Sequence, residues 1–388
     1  MHGCVNEVRK IMYHYANKGM YSCNNKNYFS KLEAILESKQ TGKQVHWNFY
    51  DSIFSDYDWS KPSELSLDVL YRERAQQLRD NYDHLVLFYS SGVDSGYILK
   101  TFIDNNIKLD EIYIFGAFEE EKKSFKDLGN SKDPGYYTRE IEYIAKPIIQ
   151  EILKKQNIKV TQYDWARDML AATKDLDWFW QAGSRFGPDM LVRNNFHKRF
   201  HEHSEMLHKG KRVGFIYGVD KPRLFRDDKS IYFSFLDIIL TTGTNNKNDI
   251  LGETWENDEY FYWNPNFPEI PIKQAHMVVE HLKKINQLTS ITHLNNNGSM
   301  HVPDFYQIVN RIVYPNWDHG LWQIKKPTSS TYHEVSKWFL DSNTPELARW
   351  ESSLWELERQ LGKEWFNNGT VRDGLKGHIS KLHKICDY

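Results

Sequence analysis

The chain has 388 residues, a formal net charge of −2, 26% charged residues and 15% aromatics. That length suits a sizeable core divided into two domains with a small extra lobe, and the near-neutral charge disfavours a dedicated nucleic-acid binder. Its three cysteines, Cys4, Cys23 and Cys386, lie far apart and form no CxxC pair, which argues against a disulfide framework or a cysteine zinc site and for a reducing, cytoplasmic setting.

Residues 1–80 are mixed and polar. The start lacks the apolar core of a signal peptide, and no stretch reaches the ~20 apolar residues of a membrane span. Helices are expected over 5–15 and 28–37, a loop over 56–62, and a long helix over 64–82 with Ser63 or Ser66 as its cap. From His84 the pattern alternates. Residues 84–89 read as a buried strand, 95–105 as a helix and 111–118 as a second strand. A helix over 138–156 places Ile141, Ile144, Ile148 and Ile152 on one face, and 158–163 reads as a third strand. A Trp-rich helical segment follows, then a fourth strand over 213–218. This order predicts an α/β fold, a parallel sheet covered by helices on both faces. Residues 230–236 read as a strand or part of a hairpin, and 241–249 as a Thr/Gly/Asn loop. Helices are expected over 272–290, 335–340 and 345–361. The expected organisation is an N-terminal helical or irregular region (1–80), an α/β domain (81–260) and a mainly helical C-terminal region (261–388).

The most informative stretch is 87–96, where the first strand breaks into a small-residue turn and opens a helix. Free N–H groups of such a turn and of the first helical turn converge on one spot, and the helix dipole favours an anion there. Gly92 can take a left-handed conformation and let a phosphate approach closely. Ser90, Ser91 and Ser95 add hydroxyl donors. Asp94 would repel a phosphate unless Mg²⁺ sits between them. The run Ser90-Ser91-Gly92-Val93-Asp94-Ser95 resembles the Ser-Gly-Gly-x-Asp-Ser signature of the PP-loop ATP pyrophosphatases, with Ser91 replacing a glycine. The family includes asparagine synthetase, GMP synthetase and lysidine synthetase. A Walker A loop is excluded, because no Gly-Lys-Ser/Thr tripeptide follows.

The resemblance implies a PP-loop/HUP-like sheet that binds ATP and Mg²⁺ and splits ATP between the α and β phosphates. It implies that residues 90–95, Val93 included, hold the pyrophosphate, and that Phe115 and Gly116 border the adenine. A second segment, Gly218-Val219-Asp220-Lys221-Pro222-Arg223, is similar to the later strand end of asparagine-synthetase-type domains, without their Gly-Glu-x-Ala-Asp-Glu run. By that similarity Asp94 and Asp220 hold the metal, Lys221 or Arg223 neutralises phosphate charge, and Asp94, Ser95, Lys221 and Arg223 form the catalytic set. The alternative for 218–223 is an exposed charged turn shaped by Pro222. Lys273 and His276 open a later helix and are candidates to reach back to the nucleotide, a solvated lysine being the alternative. His197 and His201 have zinc-pair spacing, but with His208, Glu202 and Glu205 they read better as a solvated helical face. Trp178, Trp180, Arg185 and Arg193 are candidates for an acceptor pocket or for core. The lysine-rich loop 119–134 is either solvated or a cover for the triphosphate.

The function implied is an ATP-dependent, AMP- and pyrophosphate-forming ligase, like the synthetase domain of asparagine synthetase without its glutaminase domain. It adenylates a carboxylate or amide-type oxygen of a small-molecule substrate, and an amine or ammonia then displaces AMP. His2 stands where glutamine-dependent enzymes carry a mature N-terminal cysteine, so the amine arrives free or from a donor protein. Two alternatives stay open: a tRNA or DNA base-modifying PP-loop enzyme, kept by a basic patch of Arg193, Lys198, Arg199, Lys209, Lys211 and Arg212, and a non-catalytic nucleotide-binding module. No membrane partner is expected. The frequent Asn, Lys, Ile and Tyr point to an AT-rich genome, and a viral chain would work in its host's cytoplasm.

Overall fold

The computed structural model describes residues 19–28, 30–90, 92–116, 141–164, 201–237, 256–295, 303–318, 339–341 and 344–388. The first described strands form a three-stranded antiparallel sheet in the order β2-β1-β3. They are β1 (Met20–Cys23), β2 (Lys26–Tyr28) and β3 (His46–Asn48), with helix α1 (Lys31–Thr41) between β2 and β3. Short strands in polar sequence carry little periodicity, which is why this region reads as irregular from sequence. Ser30 caps α1 by accepting from the Glu33 amide, and Gly42 ends it at φ 68°. A single turn, α2 (Asp51–Phe54), precedes the long helix α3 (Leu67–Asn81), whose cap is Ser66 rather than Ser63.

The central sheet has five strands, all parallel, in the order β10-β7-β4-β5-β6. In chain order its parts are β4 (His84–Phe88), α4 (Val93–Asp104), β5 (Glu111–Gly116), α5 (Lys146–Leu153), β6 (Lys159–Asp164), α6 (His201–His208) and β7 (Val213–Tyr217). A π-helical turn, Ile141–Ala145, leads into α5. Next come β8 (Leu224–Arg226), β9 (Ser230–Phe233) and the fifth parallel strand, β10 (Glu256–Tyr260). Helices flank the sheet, as the alternating pattern predicts. Leu85, Val86, Leu87, Phe215 and Ile216 are fully buried, which explains the continuous apolar runs of β4 and β7.

β10 is an addition that the sequence hides, because Glu256-Asn-Asp-Glu259 is polar. Its pairing is supported by a charge network: Arg74 of α3 donates to Glu259 at 2.6 Å and to the Tyr260 carbonyl at 3.2 Å, while Tyr82 donates to Glu259 at 2.5 Å.

The C-terminal part carries helices α7 (Glu269–Lys284), α8 (Pro303–Val313) and α9 (Pro345–Leu361). It also completes a third sheet, in the order β11-β8-β9-β12, with β11 (Thr292–His293) and β12 (His383–Asp387). Residues 230–236 thus supply a strand of this second structural layer and do not extend the parallel sheet. Of the helix expected over 335–340, only its last two positions are described; the helix expected over 5–15 lies outside the described residues. No helix among the described residues is long and apolar enough to cross a membrane.

Two interactions tie the outer sheets together. The fully buried Lys31 ammonium donates to Asp237 and to the Lys376 carbonyl, each at 2.5 Å. Tyr21 and the His378 amide donate to the same carboxylate at 2.9 and 2.7 Å. Burial alone would raise the Asp237 carboxyl, but Lys31 and His378 hold it below its usual range. The second interaction is an aromatic cluster of Phe49, Phe54, Trp59, Phe233, Phe235 and Trp263. His383 stacks on Trp59 within it, 4.4 Å between centroids and 17° between planes.

Replacing Lys31 by Met leaves Asp237 buried without its cation and is expected to cost about 3–5 kcal/mol, read by urea unfolding; adding Asp237→Leu should recover most of that loss. His383 provides a pH signature. Burial, then the Lys381 charge, lowers its pKa from 6.5 to about 4. Between those values the unfolded chain binds a proton that the folded chain refuses, so stability is full above pH 6.5 and falls as the pH drops toward 4. The expected loss is up to about 3 kcal/mol. His383→Phe should lack this component, so unfolding midpoints of the two proteins measured across that range should converge or cross as the pH falls.

Candidate active site

Strand order locates a crevice before any side chain is considered. From β4 the chain builds outward through β5 and β6, then returns to the other side of β4 with β7 and β10. Connections leaving β4 and β7 therefore run in opposite directions, and a crevice opens outside their carboxyl ends, where ligands of open α/β sheets bind. The turn 90–95 follows β4, and residues 218–223 follow β7. Two segments singled out by sequence thus meet at one switch point.

The turn is organised by its own hydroxyls. Ser95, the third residue of α4, accepts from the Ser90 amide at 3.2 Å, and the two hydroxyls lie 3.2 Å apart. Ser95 also donates to the Gly92 carbonyl at 3.3 Å, and the Gly92 amide donates to the Ser90 hydroxyl at 3.3 Å. Gly92 is the N-cap at φ −68° and ψ 158°, so the left-handed conformation open to it is not used. It matters here because it brings no capping side chain, so the first turn of α4 has no side-chain cap. Ser91 lies outside the described residues.

Gly218 brings the second segment close. A Cβ built there would stand 3.0 Å from the Ser95 amide nitrogen and 3.1 Å from the Asp94 Cβ. Only a residue without a side chain lets the end of β7 rest against the first turn of α4. The next carbonyl is held by the chain leaving β10: the amides of Tyr262 and Trp263 both donate to Val219 O, at 3.1 and 3.2 Å. The Val219–Asp220 peptide is cis.

Charges in the crevice are paired, one pair across the two segments and one within the second. Lys221 Nζ lies 2.6 Å from the Asp94 carboxylate. Tyr314, just past α8, donates to Asp94 Oδ1, and Tyr262 donates to the Asp94 carbonyl at 2.9 Å. Burial, reinforced by nearby negative charge including that of Asp94, pushes both phenols well above their usual pKa, so they act as neutral donors. Asp220 is buried and accepts from Arg223 Nε at 3.0 Å and from its Nη2. Burial opposes its ionisation, but Arg223 and Lys221 outweigh that and hold the carboxyl below its ordinary value. The crevice thus presents two carboxylates, two cations and a helix N-terminus.

Other expectations fare differently. Phe115 and Gly116 end β5, paired with Tyr163 and Asp164 of β6. Lys273 donates to the Ser63 carbonyl at 2.8 Å, and His276 bonds the Trp59 carbonyl at 2.9 Å, so both ends serve the loop before α3. His197, Trp178, Trp180, Arg185, Arg193 and the loop 119–134 lie outside the described residues. Tyr262 and Tyr314 were not foreseeable, since Tyr314 lies 220 positions from the aspartate it binds. A pocket of about 250 Å³ on the outer side of α4, bordered by Asp68, Arg72, Tyr97, Lys100 and Asp104, lies away from the switch point. Its tyrosine is already bonded to Asp68 and to the Pro315 carbonyl, so the crevice has the stronger chemistry.

No family model, curated protein or solved structure matches the chain.

Gly218→Ala should force β7 and α4 apart, because the atoms met are backbone and Cβ atoms that cannot swing away. The expected cost is about 1–3 kcal/mol in urea unfolding, whereas Gly210→Ala probes a glycine whose Cβ meets nothing within 4 Å but whose φ of 76° is itself costly. A loss at 218 despite its unstrained φ would therefore report the close approach alone.

Proposed function

We propose that the crevice binds ATP and that the protein is an ATP-dependent, AMP-forming ligase of the PP-loop type. The observation that carries this reading is the meeting of the uncapped start of α4 with Asp94 and Lys221 at the β4/β7 switch point, the pair 2.6 Å apart. Residues 90–95 would cradle the β and γ phosphates, with the end of β5 at Phe115 and Gly116 bordering the base. Lys221 has a partner to exchange: it leaves Asp94 for a phosphate oxygen without becoming an unpaired charge. Arg223 keeps Asp220 ionised.

The donor set fits Mg²⁺, since Asp94 and Asp220 offer hard carboxylate oxygens on the two facing segments. Asp94, with a quarter of its side chain exposed, is the more accessible. When bound, the ion supplies neutralisation of pyrophosphate charge. The chain's own part is placement. Amides of the turn and Ser95 would hold the leaving group, and Lys221 would balance its charge. A substrate carboxylate or amide oxygen attacks the α-phosphorus, the bond to the β-phosphate oxygen breaks, and pyrophosphate departs. An amine or ammonia then attacks the activated carbon, loses a proton and displaces AMP.

The base-modifying alternative is weakened by placement. Lys209, Lys211 and Arg212 precede β7, whose far end carries the crevice. Five residues of strand separate them, roughly 17 Å. Lys209 and Arg212 also face Glu205 and Asp83, at 3.7 and 3.6 Å.

Mg-ATP should bind, as read by calorimetry, and pyrophosphate should be released only with the correct carboxylate or amide partner from a panel tested with amines. Lys221→Ala and Asp94→Asn should each lower that release by ~100-fold or more while leaving circular dichroism unchanged. Failure of the intact protein to bind Mg-ATP would sink the proposal; binding without any AMP formation would favour a nucleotide-binding module instead.

A further inference from the structure

The amino ends of the central strands carry a second constellation, unconnected with the crevice. His84 opens β4, Glu111 opens β5, and His203 projects from α6. His84 Nε2 and His203 Nε2 lie 3.1 and 2.8 Å from the same oxygen, Glu111 Oε2. One ligand-capable atom from each residue falls within 4.8 Å of the other two. Glu111 is fully buried and His203 nearly so, while His84 is 15% exposed at its side chain. We propose that His84, Glu111 and His203 form a binding site for a borderline divalent cation, zinc by its ligand set.

Three features favour a metal over a structural hydrogen-bond triad. First, two imidazole nitrogens and a carboxylate oxygen are the donor types zinc takes in sites that keep a fourth position for water. Second, the separations are close to a coordination edge. Zinc–ligand bonds of about 2.0–2.2 Å put neighbouring tetrahedral ligands roughly 3.3–3.5 Å apart, so the two histidine–carboxylate contacts, at 3.1 and 2.8 Å, would open by roughly 0.2–0.7 Å, and the two imidazole nitrogens already lie within 4.8 Å of each other. Third, the carboxylate is held from behind. The Thr161 hydroxyl donates to Glu111 Oε1, the oxygen turned away from the histidines, as outer partners do for metal-ligating carboxylates. The other cation near Glu111 is Lys159, 3.6 Å from Oε1 with 41% of its side chain exposed. It leaves the Oε2 side to the imidazoles.

Position separates the ion from the ATP chemistry. The site sits at the start of β4, and the phosphate turn follows its end, roughly 20 Å away at strand rise. The ion would join β4, β5 and α6, tying together positions 92 residues apart. His203 also meets the Phe215 ring of β7 edge-on, at 5.5 Å. The link would therefore brace α6 against the strand whose far end delivers Gly218 and Lys221.

Chelator-treated full-length protein titrated with Co²⁺ and Zn²⁺ tests the site without reference to ATP chemistry. One Co²⁺ per chain should bind with intense visible absorption of low-coordinate geometry, be displaced by Zn²⁺, and raise the melting temperature. Glu111→Gln and His203→Gln should each weaken binding by at least ~100-fold and His84→Gln by ~10-fold or more, while the exposed His208→Gln, on the same helix, leaves it unchanged. Absence of a stoichiometric Co²⁺ spectrum in the intact protein would overturn the proposal, as would a spectrum that survives Glu111→Gln and His203→Gln in folded variants.

Discussion

The close approach of Gly218 to the first turn of α4 is the constraint on which the candidate site rests. It is steric before it is electrostatic. With a side chain at 218, the end of β7 would be displaced from the Ser95 amide and the Asp94 Cβ, and Lys221 would no longer lie 2.6 Å from the Asp94 carboxylate. The parallel ladder then carries this local fit outward. β7 pairs with β4 on one side and β10 on the other, so the two strand ends cannot shift independently. Gly214, deeper in β7, makes a related close approach: a Cβ there would stand 2.7 Å from the Tyr82 ring. The strand and the residue that follows it therefore combine a continuous apolar run with two positions where a side chain would collide.

Charge in the crevice follows the same economy of space. Asp94 and Asp220 are each matched by a cation from the segment after β7, and Tyr314 donates to Asp94 from the helical C-terminal part. A buried carboxylate without such partners would be costly. Paired as they are, these groups keep part of their surface open: Lys221 and Asp94 are 12% and 25% exposed at their side chains. That feature separates the crevice from the buried Lys31–Asp237 pair, where both side chains are fully enclosed and additional donors complete the carboxylate.

The remaining sheets act as a frame. β12 closes the third sheet against β9, and Lys31 reaches from α1 to a carboxylate and a carbonyl of that frame. Aromatic rings from β9, from the segments around β3 and α2, and from the chain after β10 share one cluster. These aromatic side chains thus serve packing.

The turn 90–95 and the alternation of strand and helix around it were legible in the sequence because their causes are local. Apolar continuity marks β4 and β7, small residues mark the break, and helical spacing marks α4. The same locality concealed β10, whose Glu259 finds its partners in Arg74 and Tyr82 on another helix and at its end. It also left Gly92 with a conformational role that it does not play. The sequence by itself determined where a small-residue turn would join the first parallel strand to its helix. Tertiary structure decided that Asp94 meets Lys221 across 127 positions and Tyr314 across 220, and that His84, Glu111 and His203 converge. Neighbouring residues encode backbone sterics, but distant charges become partners only when sheet order brings their strand ends together.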